Sequence, residues 1–446
     1  MNVLINMSSK QKIFFILFHL FLGFLIIKIN IVTFYSVIIL LFATYIIFTS
    51  KDEQGVLPLY FCSYLGGLEI VLRMAKANIF WEFGKYSIIY CLLLGFLKIN
   101  KTVKIPILAL YYFVLLIPAI IGVPMESFNS WRQDISFNLS GPLVLFISSI
   151  YFYNVKLSKD EIPSILFYST LPIITMSIYN IIQMPDLLTY KFLPYSDSST
   201  SGGYGPNQVA TMFGLGIINI SLAQLFKKTL FIKRYIDFIF LAIFFFLGLI
   251  TFSRGGILVA SVSLIISVSY YILYQQKVVN ILFKITGLLL IFLTLWYFIF
   301  SLTDGVIADR YGISSKEGSG NILSDLSGRS VIYNIDFQIF KDHILSGVGL
   351  GQGTYMRESY GYGKVVAAHI EFTRMLAEHG FLGLVSIFFL LSIPIVGILN
   401  SKIISNRVLI LTFSIFSLLT MSHSAMRLAY PSFIFGIIYC FNREEF

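Results

Sequence analysis

The chain contains one apolar segment after another, each about twenty residues long, and this repetition restricts its fold more than any other feature. A helix needs about 20 mainly apolar residues to cross the hydrocarbon core of a membrane. A membrane β-barrel would instead show alternating segments of about ten residues. Only 12% of the residues are charged, against roughly a quarter in soluble domains. The sequence therefore predicts an all-α polytopic membrane protein.

Fourteen segments are candidate membrane spans, and because several are short or polar we expect about 12–14 transmembrane helices. The weakest is 56–72, since Glu69 and Arg73 lie near its end. Residues 1–302 are predicted to hold eleven helices with short loops, and residues 380–446 the C-terminal helices. The candidate spans are residues 11–28, 31–49, 56–72, 80–97, 105–122, 139–155, 162–182, 206–226, 235–252, 255–274, 281–302, 380–399, 408–422 and 428–441.

The distribution of positive charge predicts the orientation, because loops on the cytoplasmic side of a membrane carry an excess of Lys and Arg. With the N-terminus inside, 17 of the 32 Lys and Arg residues fall in inside loops and 8 in short outside loops. Both termini are then cytoplasmic. Residues 123–138, 183–207 and 303–379 become the longer loops on the outer face.

The segment 303–379 is polar, rich in glycine and far longer than the other loops. Loops of this length are usually functional or disordered, and its aromatic and aliphatic content argues against disorder. Residues 347–353 superficially match a GxGxxG phosphate fingerprint. They do not follow a strand in a βαβ unit, so tight turns are the better interpretation. The sequence therefore predicts a large extracytoplasmic loop that carries the functional site.

Two candidate general bases, His369 and Glu371, stand at the end of this loop. Histidine and glutamate are common positioned bases, and the chain has only five histidines. If 368–379 is helical, Glu371, Arg374 and Glu378 share one face through i,i+3 and i,i+4 spacing. The alternative is a surface ladder of ion pairs with incidental histidines. The residues alone do not decide between His369 and Glu371.

Arginine is concentrated on the predicted outer face, where it makes up 8 of 15 positive residues, against 3 of 17 inside. Its planar guanidinium binds phosphate through two hydrogen bonds and stays charged, so we expect a phosphorylated anionic ligand there. Arg254 stands at the end of a span, where a charge must face a polar cavity or snorkel to the interface. No His or Cys pair has metal-ligand spacing, and no basic run with aromatics indicates nucleic acid. We therefore predict no metal, cofactor or nucleic acid.

Several of these segments resemble the superfamily of O-antigen polymerases and O-antigen ligases. They are residues 253–256 opening a span, Gly328-Arg329 leading to 342–351, and the stretch 369–384, together with the number of spans. The order and spacing of the segments carry the resemblance, which covers most of the second half of the chain.

Within that superfamily the chain resembles the Wzy-type polymerase branch. The form of residues 369–380 is closer to polymerases than to ligases, and residues 138–142 and 422–428 also resemble polymerase segments. Ile370 occupies a position where ligases often carry asparagine, which favours the polymerase. Ile344 replaces a proline that is usual after the loop histidine, and this departure favours neither branch.

The resemblance implies a metal-independent glycosyltransferase with the helical fold of lipid-donor enzymes (GT-C-like) in a bacterial inner membrane. Such polymerases transfer a chain on undecaprenyl pyrophosphate to a sugar hydroxyl of a lipid-linked repeat unit at the periplasmic face. A chain-length regulator is an expected partner. His369 or Glu371 would be the base, and a set of arginines would bind pyrophosphate. Those arginines are Arg254, Arg329, Arg374, Arg132 and Arg427.

Two other functions are consistent with parts of the pattern. An O-antigen ligase, which moves polymer to lipid A core, would share the donor and differ in the acceptor. A polysaccharide flippase or transporter would usually show inverted repeats and charges at the membrane midplane. In this chain the ionisable residues gather at the outer boundaries and in one loop, which argues against transport.

Overall fold

The computed structural model describes residues 7–28, 32–50, 52, 54–99, 102–125, 127–158, 160–275, 278–311 and 329–441. Within these ranges the chain forms helices and turns and no β-strand, as the sequence predicted. The α-helices of these ranges are α1 (Ser9–Lys28), α2 (Val32–Thr49), α3 (Leu57–Met74), α4 (Phe83–Phe96), α5 (Ile107–Val114), α6 (Phe128–Asn154), α7 (Glu161–Gln183), α8 (Pro206–Leu225), α9 (Arg234–Ile250), α10 (Arg254–Gln275), α11 (Val278–Leu302), α12 (Val306–Tyr311), α13 (Arg329–Asp342), α14 (Gly353–Arg357), α15 (Glu371–Asn400), α16 (Ile404–Ser424) and α17 (Ala429–Phe435).

The protein is a multi-pass membrane protein. In the described part of the chain, seven helical segments are long and apolar enough to cross a membrane, in α1, α6, α7, α8, α10, α15 and α16. Five shorter apolar segments lie in α2, α4, α5, α11 and α17. Those in α5 and α17 continue into a 3-10 segment that follows the helix. Together with α3 and α9, these helices overlap the fourteen segments that the sequence singled out.

The first of two compact units consists of residues 1–101, 155–315 and 403–416. In it α3 packs against α4 and α7, and α8 packs against α9 and α10. The α8–α10 contact explains one glycine of the segment 253–256. A Cβ on Gly256 would lie 2.2 Å from the carbonyl carbon of Ala210, so this position permits the two helices to approach closely.

The second unit consists of residues 102–154, 316–402 and 417–446. In it α15 packs against α5 and α13, and α6 packs against α17. Tight packing again depends on small residues. A Cβ on Gly141 of α6 would lie 2.6 Å from the Cβ of Met426, in the segment between α16 and α17. The predicted site residues His369, Glu371 and Arg374 belong to this unit.

The predicted outer loop 123–138 is largely helical, because α6 already begins at Phe128. The prediction of a loop rested on low hydropathy. Polar residues such as Asn, Gln and Asp lower hydropathy without preventing a helix, and Pro142 is accommodated inside α6. The loop 183–207 is mainly turns with a short 3-10 segment, Ser199–Ser201.

The long loop 303–379 contains ordered helical structure on both sides of 312–328, which lie outside the described residues. Helix α12 precedes that stretch; α13, α14 and a π turn (Glu358–Tyr362) follow it, and α15 begins at Glu371. The placement of this segment on the outer face, and of both termini inside, stays a prediction.

Candidate functional site

A buried ion triad opens α15. The guanidinium of Arg374 donates from Nη1 to Glu378 Oε2 at 2.6 Å, from Nε to Glu371 Oε2 at 3.2 Å, and from Nη2 to Glu371 Oε1. The exposed fractions of Glu371, Arg374 and Glu378 are 1%, 5% and 0%. The i,i+3 and i,i+4 spacing therefore places the three side chains together, as the sequence predicted. Their burial excludes a solvated surface ladder.

Helix α6 and a glycine turn complete the surroundings of this triad. Arg374 lies 3.4 Å from Asn138 Oδ1 through Nη1 and 3.3 Å from the Asn138 carbonyl oxygen through Nη2. The Gly351 amide donates to Glu378 Oε2 at 2.9 Å. Gly351 has φ +78°, and a Cβ there would lie 2.6 Å from Asn138 Nδ2. The turn can approach α6 this closely only because the residue is glycine.

The turn formed by residues 347–351 packs onto a kink in α15. At Gly380 the backbone leaves helical geometry (φ 58°, ψ −135°), and such a break frees carbonyl groups that would otherwise bond within the helix. The Val348 and Gly349 amides donate to the Ala377 and Glu378 carbonyls at 3.0 and 3.1 Å. The Phe381 amide donates in turn to the Ile344 carbonyl at 2.6 Å. These are the tight turns that the sequence predicted for the glycine segment.

We expect Gly380→Ala to destabilise the protein by more than about 1 kcal/mol, because a β-carbon disfavours this backbone conformation. The added Cβ would also lie 2.5 Å from the Gly347 nitrogen and 2.6 Å from the Ile344 carbonyl oxygen. The measurement is the midpoint of thermal unfolding of detergent-purified protein. Gly287→Ala is the control, since no described residue lies within 4 Å of a Cβ at that site in α11. Equal midpoints for the two variants would contradict the account of the kink.

A second buried ion pair ties α13, α14 and α15 together. Arg357 Nε donates to Asp336 Oδ1 at 2.7 Å, and Thr373 Oγ1 donates to Asp336 Oδ2 at 2.6 Å. Arg357 Nη1 also donates to the Val366 carbonyl at 2.9 Å. Asp336 and Arg357 are fully buried. Sequence reasoning missed this network, although Asp336, in the middle of α13, was a signal for a buried partner.

His369 lies directly before α15 and is half-buried. Its carbonyl accepts a hydrogen bond from the Ala425 amide at 3.0 Å, and the preceding Ala368 carbonyl accepts one from Arg427 Nη2 at 2.7 Å. Ala425 has φ +51°, a costly conformation for alanine that only the surrounding structure can hold. The segment after α16 thus fixes the backbone that carries His369. Of the two predicted bases, His369 is the more accessible.

The other predicted arginines lie in different places. Arg427 lies next to the site in the second unit, where it donates a hydrogen bond to the Ala368 carbonyl. Arg132 is exposed on α6. Arg329 is the first residue of α13, and its side chain is outside the part of the chain that the structure describes. Arg254 is the first residue of α10 in the first unit. No group of three or more His, Cys, Asp or Glu side chains in the described ranges could hold a metal ion.

Comparison with known families adds an independent observation. Residues 239–389 match the family model Wzy_C, described as O-antigen ligase. The match runs from α9 into α15 and includes Arg254, the glycine turn, His369 and the triad around Arg374. It covers about a third of the chain and supports the superfamily of O-antigen polymerases and ligases without separating the two activities. Members of this family are glycosyltransferase-like enzymes. No curated protein matches the chain.

Proposed function

We propose that this protein polymerises oligosaccharide repeat units carried on undecaprenyl pyrophosphate into O-antigen or a related surface polysaccharide. The growing chain moves from its lipid carrier to a sugar hydroxyl of a new lipid-linked repeat unit, at the periplasmic face of the inner membrane. The enzyme is of the GT-C-like class, and its activity uses no nucleotide sugar. The match to the superfamily and the polymerase-like form of residues 369–380 support this proposal.

The observation that carries the mechanism is the contrast between the two candidate bases. Glu371 is 1% exposed and paired with Arg374, whereas His369 is half-buried, and its backbone carbonyl accepts a hydrogen bond from Ala425. A general base must reach the proton that it accepts. His369 is therefore the base: it takes the proton of the acceptor hydroxyl as that oxygen attacks the anomeric carbon of the donor sugar. The bond from this carbon to the pyrophosphate oxygen breaks, and undecaprenyl pyrophosphate leaves.

The geometry supports a positioning role for Arg374, in place of the pyrophosphate binding that the resemblance implies. Both of its carboxylate partners are buried with it, so its charge is already neutralised within α15. A neutralised guanidinium offers little additional stabilisation to a leaving anion. Arg374, Glu371 and Glu378 instead hold the first turns of α15, and with them the neighbouring His369.

We assign pyrophosphate binding to the predicted arginines outside this triad. Arg254 is the main candidate, and Arg427 is a second because it lies beside the segment that carries His369. Arg132 and Arg329 stay weaker candidates. Their common contribution would be electrostatic: fixed cations stabilise the negative charge that develops on the leaving pyrophosphate. A chain-length regulator is a proposed partner on resemblance alone.

The second candidate function is the ligase, because the matching family model carries that description. A ligase would use the same donor and the same catalytic groups, so substitutions at the donor site would not distinguish the two. The acceptor distinguishes them: a lipid-linked repeat unit for the polymerase, and lipid A core for the ligase.

The test is a gel of surface polysaccharide from a strain without this gene, complemented by wild type or by His369→Ala. A polymerase predicts that the ladder is lost and that lipid A core is capped by one repeat unit. A ligase predicts uncapped core and accumulated lipid-linked polymer. In either case His369→Ala should fail to restore the ladder at a normal protein level. An unchanged ladder in the deletion strain would exclude both functions.

A further inference from the structure

A polar cavity of about 180 Å³, the lysine cavity, lies beside the beginning of α1 in the first unit. Its wall contains Lys12 of α1, Lys228 from the connection between α8 and α9, and the hydroxyl residues Ser164 and Thr229. Asp160 also lines it and accepts a hydrogen bond from Lys228 Nζ at 2.6 Å. Two lysines and one aspartate give the wall a net positive charge, at the end of α1 that is predicted to face the cytoplasm.

Contacts on two sides hold the Lys12 ammonium at this wall. Its Nζ donates to the Leu230 carbonyl at 2.8 Å and lies 5.2 Å from the centroid of the Phe167 ring. A lysine near the end of a membrane helix would otherwise extend toward the water interface. An ammonium has three donors, and the bond to Leu230 uses one of them. Lys12 can therefore also donate to an anionic group in the lysine cavity.

A second cavity of about 160 Å³, the aromatic cavity, lies deeper along α1 and α7 and is also bordered by α2 and α3. Lys12, Phe15 and His19 follow one face of α1. A rise of about 1.5 Å per residue places His19 roughly 10 Å farther into the membrane than Lys12. Most of the lining side chains are aromatic or aliphatic, among them Phe15, Phe18, Phe42, Phe61, Tyr168 and Leu171.

The aromatic cavity suits a hydrocarbon chain. His19 Nδ1 donates to the Phe15 carbonyl at 2.7 Å, and Nε2 lies 3.0 Å from the Tyr64 hydroxyl, so the polar atoms of this histidine are already paired within the protein. Phe42 is 48% exposed, and its ring meets that of Phe61 at 6.0 Å between centroids. The cavity therefore reaches the outer surface of α2, where the chains of membrane lipids lie.

We propose that the two cavities together bind one anionic glycerophospholipid from the leaflet predicted to be cytoplasmic. Its phosphate contacts Lys12, Lys228 and the hydroxyls of the lysine cavity, and the upper part of one acyl chain occupies the aromatic cavity. Basic pockets between transmembrane helices on the cytoplasmic side are known to suit anionic head groups. The offset of roughly 10 Å along α1 matches a head group and a chain of the same molecule. None of these residues takes part in the proposed transfer, so the site does not depend on that function.

The test of the head-group contacts is native mass spectrometry of delipidated protein in detergent, titrated with dioleoyl phosphatidylglycerol or dioleoyl phosphatidylcholine. Wild type should bind the anionic lipid more tightly. The double variant Lys12→Gln/Lys228→Gln should weaken phosphatidylglycerol roughly 25-fold, about fivefold for each lysine, and leave phosphatidylcholine nearly unchanged. Comparing two lipids on the same variant makes the result independent of the yield of folded protein. Lys12→Arg keeps the charge and should keep the preference.

The matched control is Lys10→Gln/Lys227→Gln, which removes the same charge at two exposed lysines that neighbour Lys12 and Lys228 in sequence. This variant should retain the preference of wild type for phosphatidylglycerol. An equal loss of preference in the two double variants would mean that general surface charge attracts the lipid, and the proposal would be overturned.

The chain contact has its own pair of variants on α2. Ile39 lines the aromatic cavity, and Ile39→Trp should fill it and weaken phosphatidylglycerol at least about fourfold, as for one methylene group that is no longer buried. Ile38→Trp, at a neighbour that is 59% exposed, should bind like wild type. Equal affinities in these two variants would exclude the acyl chain from the cavity.

Competition identifies the source of the phosphate. Inorganic phosphate at millimolar concentration should not displace bound phosphatidylglycerol, and neither should an equal concentration of undecaprenyl phosphate. Displacement by inorganic phosphate would assign the lysine cavity to a soluble anion. Displacement by undecaprenyl phosphate would assign both cavities to an isoprenoid lipid. Either result would overturn the assignment to a glycerophospholipid.

Discussion

Replacing Arg374 by methionine should sharply reduce the amount of folded protein. The substitution leaves two buried carboxylates, Glu371 and Glu378, without their cation. Removing one partner of a buried ion pair typically costs about 3–5 kcal/mol, which is a large part of the stability of an average domain. The measurement is the yield of monodisperse protein by detergent size-exclusion chromatography, together with its unfolding midpoint. Arg374→Lys should be intermediate, because an ammonium cannot reproduce the bidentate contacts.

A compensated variant separates this cause from a ligand-binding role. Combining Arg374→Met with Glu371→Gln and Glu378→Gln removes all three charges, so most of the lost folded protein should return. Restored folding without restored activity is the expected result for a positioning network. If Arg374→Met alone is folded like wild type and merely inactive, then Arg374 acts on the substrate and the positioning role is wrong.

The sequence predicted the features of the site that depend on local spacing. Runs of about twenty apolar residues identified the helices, and i,i+3 and i,i+4 spacing placed Glu371, Arg374 and Glu378 on one face. Both inferences work because the geometry of a helix relates positions a few residues apart. The turn at 347–351 was likewise predicted from its glycines, whose freedom at positive φ is a property of the residue itself.

The site's contacts between residues far apart in the sequence could not be predicted in this way. Arg374 meets Asn138 across 236 positions of sequence, and Asp336 pairs with Arg357 between separate helices. The kink at Gly380 has no local signal either. A glycine inside an apolar segment is as consistent with close packing between helices as with a break in the helix. Burial of the triad follows from these distant partners. It is this burial that distinguishes Glu371 from His369.

His369→Ala and Glu371→Gln should therefore fail in different ways. His369→Ala should fold like wild type, because the substitution keeps the backbone carbonyl that accepts the hydrogen bond from Ala425. Its transfer rate should fall about 10²–10⁴-fold, as for the loss of a general base. Glu371→Gln keeps the shape of the side chain but weakens the buried pairing with Arg374. Its main effect should be a lower unfolding midpoint, with a smaller loss of rate in the protein that remains folded.

The measurement is the initial rate of transfer between lipid-linked repeat units by purified, reconstituted enzyme, normalised to folded protein. His343→Ala is the matched control, since His343 is also half-buried in the second unit and has no part in the proposed proton transfer. The opposite pattern, with an active His369→Ala enzyme and a stable but inactive Glu371→Gln enzyme, would assign the base to Glu371. The hydroxyl proton would then have to reach a carboxylate that is 1% exposed, which would require α15 to move away from Arg374 during the reaction.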